Sequence, residues 1–216
     1  QPMMRLVQGD VGSGKTVVAA LAALQAVTSG YQAAIMAPTE ILAEQHFDSF
    51  SRWLTPLGIK LSWLTGKLAK ARRGQALEEI SSGQTHIAVG THALFQENVE
   101  FRKLGLIIID EQHRFGVHQR LSLRAKGEVE SAQPHQLIMT ATPIPRTLNM
   151  AMSGMRDISI ITSPPAKRLS IKTFIQRQEN GIRKEAISRE LLRGGQVYLL
   201  HNDVQSIERK SEEIRE

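Results

Sequence analysis

Short apolar runs alternate with longer amphipathic stretches along the first two thirds of the chain. Arg5–Gln8, Ala33–Ala37, Lys60–Leu64, His86–Val89, Leu106–Asp110 and Gln136–Thr140 have the length and composition of strands. Between them, Thr16–Val27 is rich in Ala and Leu and stops near Gly30, and Ala69–Ser81 is a polar helical stretch. Thr39–Leu54 is a longer helical pattern, with Thr39 placed to cap it after Pro38. Strands separated by helices predict βαβ units and a parallel sheet. The unbroken run Leu106-Ile107-Ile108-Ile109 suits a strand covered on both faces.

The pattern changes after Met155. Asp157–Ile161 reads as the end of a strand, and Ser163-Pro164-Pro165-Ala166-Lys167-Arg168 as a linker, because Pro-Pro continues neither strand nor helix. Ile171–Gln176 and Gln196–His201 are expected as two further strands around a helix at Gly181–Arg193, followed by a charged helix over Val204–Glu216. The expected organisation is therefore a first lobe over 1–155, a linker over 156–170, and the truncated start of a second α/β lobe over 171–216. Gln196–His201 would be an apolar strand without neighbours, which predicts a sticky or poorly ordered tail.

The ends of the strands carry the candidate chemistry. Residues 9–16 read Gly-Asp-Val-Gly-Ser-Gly-Lys-Thr, the P-loop pattern, between a predicted strand and a predicted helix. Such a loop points backbone N–H groups and a helix N-terminus at phosphate. Gly9, Gly12, Ser13 and Gly14 would form the cradle, Lys15 would reach the β- and γ-phosphates of ATP, and Thr16 would coordinate Mg²⁺. Asp110-Glu111-Gln112-His113 closes the Leu106–Ile109 strand. Asp110 is expected to hold Mg²⁺ through water and Glu111 to polarise the attacking water as general base. A pair of solvated carboxylates is the bland alternative, and the P-loop upstream weighs against it.

His113 could be a metal ligand, a satisfied core histidine or a relay, and only His118 accompanies it at useful spacing, so the relay is favoured over metal. Thr140-Ala141-Thr142-Pro143 ends the next strand and would set the hydroxyls of Thr140 and Thr142 beside Gln112 and His113, a coupling group able to sense the γ-phosphate. Turn capping is the bland reading of both threonines. Pro38-Thr39-Glu40, Thr65-Gly66-Lys67 and Gly90-Thr91-His92 should lie at further strand ends, where open α/β sheets bind ligands. Short hydroxyls and free amides there suit a nucleic-acid backbone. Lys67, Lys70, Arg72 and Arg73 add positive charge, although such a run is more often plain surface.

Composition adjusts this picture only a little. The 216 residues hold 27 Lys+Arg and 21 Asp+Glu, a net +6, which permits a polyanionic partner. The excess is even along the chain: 15 basic against 12 acidic residues over 1–146, and 12 against 9 over 147–216, or +3 each. Aromatics make up 5%, too few for a surface that stacks bases, so backbone contacts are favoured over base reading. The absence of cysteine excludes disulfides and Cys-based zinc sites. No apolar run approaches the roughly 20 residues of a membrane span, and no signal peptide is evident, which suits a cytoplasmic protein. The chain opens on Gln1 rather than Met, as a piece of a longer protein would.

These motifs together resemble motifs I, Ia, Ib, II and III of superfamily 2 helicases: the P-loop, Ala37-Pro38-Thr39-Glu40, Gly90-Thr91-His92, Asp110-Glu111-Gln112-His113 and Thr140-Ala141-Thr142-Pro143. Residues 1–148, through DEQHRFGVHQ (Asp110–Gln119) and HQLIMTATPIPRTL (His135–Leu148), resemble the RecG family of bacterial fork-remodelling helicases. TLNMAMSGMRDISIITSPPAKRLSIKTF (Thr147–Phe174) and GGQVYLLHNDV (Gly194–Val204) resemble the Mfd family of transcription-repair coupling factors. The changeover falls inside a motif both families share, which leaves a hybrid, a fragment or a blended homologue as readings.

The resemblance implies a RecA-like P-loop NTPase domain with a mainly parallel sheet, plus the start of a second RecA-like lobe. It implies ATP and Mg²⁺ as cofactors and Lys15, Thr16, Asp110 and Glu111 as the ATPase residues. Thr39, Gly66 and Thr91 become the DNA contacts, and duplex, forked or branched DNA the partner, with RNA polymerase added if the Mfd-like reading holds. In these families the adenine-contacting segment precedes the P-loop, and motifs V and VI, with the arginine that completes the site, would follow Glu216. An arginine finger is worth about 10³–10⁵ in rate, so the isolated chain is expected to bind ATP weakly and hydrolyse little. An RNA helicase, a P-loop ATPase acting on protein, and a non-catalytic module that binds nucleotide as a prop stay open as rivals. The intact Glu111 argues against the last.

Overall fold

The computed structural model describes residues 2–96, 98–111, 133–141, 157–163, 173–177 and 179–215. They fall into two units, Gln1–Arg168 and Leu169–Glu216. In the first, β1 (Met4–Gly9), β2 (Gln32–Met36), β3 (Leu61–Leu64), β4 (Ile87–Gly90), β5 (Leu104–Asp110), β6 (His135–Thr140) and β7 (Asp157–Ile161) form one sheet in the order β3-β4-β2-β5-β6-β1-β7. Every neighbouring pair is parallel. Helices α1 (Lys15–Thr28), α2 (Glu40–Leu54) and α3 (Lys70–Ser81) follow β1, β2 and β3.

The apolar runs become strands because both faces of the sheet are covered. Side chains alternate across a strand, so β5 divides its own between two cores. Leu106 and Ile108 pack with Ala19, Ala20 and Ala23 of α1 and with Phe50 and Leu54 of α2. Ile107 and Ile109 pack on the other face with Ala76 and Ile80 of α3 and with Leu94. The alanine stripe of α1 lets its backbone lie close to the sheet. A fully buried aliphatic side chain of this size contributes about 1.5–3 kcal/mol relative to its exposed state, and the β5 isoleucines are all buried.

Polar groups at the N-terminal edge of the sheet are tied down by one buried amide. Gln32 Nε2 donates to the carbonyls of Ile80 and Thr85, at 2.9 and 2.8 Å, and its Oε1 accepts from Lys103 N at 2.9 Å. Three backbone groups, from the last turn of α3, the α3–β4 connection and the residue before β5, are thereby satisfied away from water, as buried polar atoms require.

The strand Asp157–Ile161 departs from the expected boundary at 155. It pairs with β1 from Arg5↔Asp157 to Gly9↔Ile161, and Arg5 bonds Ser159 Oγ and Asp157 Oδ2 at 2.9 and 3.2 Å. These residues are therefore the edge strand of the first sheet and not linker: the open edge of β1 supplied a partner that the local sequence could not reveal.

In the second unit, α4 (Asn180–Leu192) and α5 (Ile207–Arg215) stand close to the expected helices. The described parts of the two expected strands, 173–176 and 196–201, carry no strand. A strand needs a ladder partner, and no described residue of this unit offers one.

Candidate nucleotide-hydrolysis site

Parallel strands deliver their C-terminal ends to one side of the sheet, and three adjacent ends carry the predicted ATPase residues and the coupling residue Thr140. β6 lies between β5 and β1, with Asp110 opposite Met139 and Gln8 opposite Thr140. Asp110 and the P-loop are thus two strand spacings apart, about 10 Å.

The loop after β1 has the shape its glycines allow. Gly12 and Gly14 have φ of 80° and 94°, the left-handed region. A Cβ on Gly9 would sit 2.5 Å from Ser13 Oγ and 3.1 Å from Ile161 Cβ, so only glycine fits between the loop and β7. Gly14 caps α1 without a side-chain bond, and the first turn holds no acidic residue. The helix N-terminus therefore keeps its positive end for an anion. Lys15 Nζ donates to the carbonyls of Gly9 and Asp10 at 2.8 and 2.9 Å, which folds the ammonium over the loop. Ser13 Oγ is buried with no hydrogen-bond partner. A glycine-lined cradle, an orphaned hydroxyl and an uncapped helix end fit a phosphate group, and Thr16 in the first turn of α1 fits the Mg²⁺ that travels with it.

Asp110 ends β5 and is 9% exposed. Its Oδ2 lies 2.7 Å from Nε2 of His46, itself 7% exposed. Sequence reasoning missed this histidine. The available signal was its phase, since Ala43, His46, Phe50 and Leu54 form the buried stripe of α2. Glu111 takes φ 49°, left-handed for a residue with a Cβ, which costs about 1–3 kcal/mol. Its N–H still bonds Met139 O at 3.0 Å. The turn swings the carboxylate toward the end of β6, where Oε1 accepts from Ala141 N at 3.0 Å and Oε2 from Thr140 Oγ1 at 3.2 Å. The segment expected to couple to Gln112 and His113 thus grips Glu111 itself. Gln112, His113 and Thr142 lie outside the described residues.

The expected DNA contacts divide. Thr39 caps α2, accepting from Leu42 N at 3.3 Å. Gly66 is exposed, and a Cβ there would meet no atom within 4 Å. Lys67 pairs with Glu40 at 2.8 Å across the ends of β3 and β2, and this bond holds its ammonium above the ordinary pKa. Thr91 does not fit its expected role, being 3% exposed. The chain turns inward there: Gly90 packs so closely on the Leu64 carbonyl that a Cβ would lie 1.9 Å from it, and Ala93 and Leu94 enter the core. Its neighbour His92 is the exposed residue.

A protein-family model described as DEAD/DEAH box helicase matches residues 2–151. The chain belongs to that family. It is 62% identical over 178 residues to the ATP-dependent DNA helicase RecG of Haemophilus influenzae, covering 82% of this chain and 26% of the relative. It is 50% identical over 215 residues to the transcription-repair-coupling factor of the same organism, covering 98% of this chain and 18% of the relative. The chain thus spans about a quarter of the length of its RecG relatives and less of the coupling factors. Among solved structures, RecG bound to a three-way DNA junction matches with TM-score 0.78 and 37% identity, over 99% of this chain and 28% of that one. The seven-stranded parallel sheet is the RecA-like domain of these helicases. No helix among the described residues is long and apolar enough to cross a membrane.

Proposed function

We propose that this chain carries the ATP-binding motor lobe of a bacterial double-stranded DNA translocase or helicase, one that couples ATP hydrolysis to DNA remodelling in replication-fork rescue or repair in the cytoplasm. The observation that carries the reading is the meeting of Lys15, Thr16, Asp110, Glu111 and Thr140 at the ends of three adjacent strands. The high identity to RecG supports DNA, duplex, forked or branched, as the partner. Residues 1–168 are the first lobe in this reading, and 169–216 begin a second.

Each residue has a task that its placement suits. The amides of Gly9–Thr16 and the N-terminus of α1 receive the phosphates, and Lys15 exchanges its two loop carbonyls for phosphate oxygens. Thr16 and Asp110 would hold Mg²⁺, Asp110 through water. Mg²⁺ bound there would neutralise the charge that develops on the phosphates. Glu111 accepts a hydrogen bond from the attacking water and orients it as general base. Thr140 and Ala141 set the direction of that carboxylate, so a shift at the end of β6 moves the base. Gln112, His113 and Thr142 complete the coupling group. Thr39 and Gly66 meet the DNA backbone, and Thr91 anchors the loop that exposes His92.

A second reading, a translocase acting on stalled RNA polymerase, is favoured by the 50% identity to the coupling factor over nearly the whole chain. A fluorescent ATP analogue with Mg²⁺ tests the site: saturable binding should be lost in Lys15→Ala. The chain is then exchanged for the matching segment of Haemophilus influenzae RecG. Forked DNA should stimulate ATP hydrolysis by the hybrid, and Glu111→Gln should lower that rate at least about a hundredfold. Turnover indifferent to DNA would refute the motor reading, and stimulation by RNA in preference to DNA would move the substrate.

A further inference from the structure

His46 stands on the buried face of α2 among Ala43, Phe50 and Leu54, a place that packing alone would fill with an apolar side chain. Its Nε2 lies 2.7 Å from Oδ2 of Asp110, and both residues are buried. An ionised carboxylate only accepts hydrogen bonds, so the imidazole donates from Nε2. That bond engages one carboxylate oxygen and restricts rotation of the group, leaving Oδ1 to meet the water through which Asp110 would hold Mg²⁺. Hydrogen bonds that orient the groups around a metal ion tune its affinity even from outside the ligands themselves.

The element that supplies the donor matters as well. Asp110 ends β5, whereas His46 comes from α2, the helix that Thr39 caps. Thr39 and His46 are seven residues apart, about 10 Å along the axis at 1.5 Å per residue. The cap residue assigned to DNA and the imidazole on the Asp110 carboxylate therefore belong to one rigid helix.

We propose that His46 is a positioning residue for the Mg²⁺ site: its Nε2–H fixes the carboxylate of Asp110 and ties the orientation of that group to α2. The proposal rests on the nucleotide-site reading. It concerns hydrogen-bond geometry, so replacements are chosen by where they place a donor. Glutamine puts an amide nitrogen near the position of Nε2, asparagine stops short of it, and leucine has none.

The experiment titrates Mg²⁺ against this chain with a fluorescent ATP analogue and reads the concentration at which binding is half-maximally tightened. His46→Leu and His46→Asn should raise it about tenfold, with analogue affinity in EDTA unchanged, while His46→Gln stays within about threefold of the parent. If His46→Leu fails to fold by circular dichroism, the contrast between asparagine and glutamine decides. Parental Mg²⁺ dependence in His46→Asn would overturn the proposal, and so would an impairment in His46→Gln equal to that in His46→Asn. If the parent chain shows no Mg²⁺-dependent binding that Lys15→Ala removes, the nucleotide-site reading itself fails and the proposal with it.

Discussion

Two apolar segments of similar composition have opposite fates in this molecule. Leu104–Asp110 is a strand held between β2 and β6, with Ile107, Ile108 and Ile109 each at 2% exposure or less. The segment 196–201 reads Gln-Val-Tyr-Leu-Leu-His, carries no strand, and leaves Tyr198 and Leu200 93% and 90% exposed. Intrinsic preference for the extended backbone is present in both. What differs is the company: β5 has a ladder on each edge and a helix layer on each face, and no described residue of the second unit is buried. An apolar run proposes a strand, and its neighbours decide whether one forms.

The sharpest way to break this contrast is to truncate one residue on each side of it. Ile108→Ala removes a side chain at 0% exposure from the centre of the sheet, and a core truncation of this kind costs about 2–5 kcal/mol. Leu200→Ala should stay within about 0.5 kcal/mol. Both tryptophans, Trp53 and Trp63, lie in the first unit, so urea unfolding followed by tryptophan emission reports that unit alone. Equal losses in the two variants would show that Leu200 contributes to the stability of the first unit and would break the contrast. Gln32→Leu comes next in size. It keeps the volume but removes a hydrogen bond from each of three backbone groups, of which the Ile80 carbonyl keeps its bond from Gly83 N, and buried polar groups left unpaired cost about 1–3 kcal/mol each, reduced where water reaches them. A total loss of about 2–3 kcal/mol in the same assay is expected, and stability equal to the parent would mean that the amide merely fills space.

The sequence made the first unit legible because each signal there was local. Six strands followed from their apolar runs, the cap Thr39 from Pro38 before it and the helix after it, and the P-loop from spacing alone. Asp110 and Glu111 were legible as the end of a buried strand. Three features depended on contacts distant in sequence and stayed hidden. The membership of Asp157–Ile161 in the sheet is set by the free edge of β1, more than 150 residues away. The role of His46 is set by Asp110, 64 residues on. The burial of Thr91 follows from the approach of β4 to the carbonyl of Leu64. The left-handed turn at Glu111 had no sequence signal either, since glutamate has no preference for that conformation.

The smallest expected effect is also the most direct test of the contrast between the units. A chain ending at Arg168 lacks α4, α5 and every residue of the second unit. Among the described residues the buried apolar core runs from Leu6 to Met139, all of which the shortened chain retains. Thermal unfolding read by tryptophan emission should therefore shift by no more than about 2 °C, the size of a change below about 1 kcal/mol in a domain of this length. The same deletion removes Leu192, Tyr198, Leu200 and Val204, all more than 80% exposed, so binding of a hydrophobic dye to the native protein should fall. A fall in midpoint beyond about 5 °C would mean that the second unit supports the sheet, and undiminished dye binding would place the sticky surface on the first. Either result would close the gap between the two units, and exposure would no longer distinguish them.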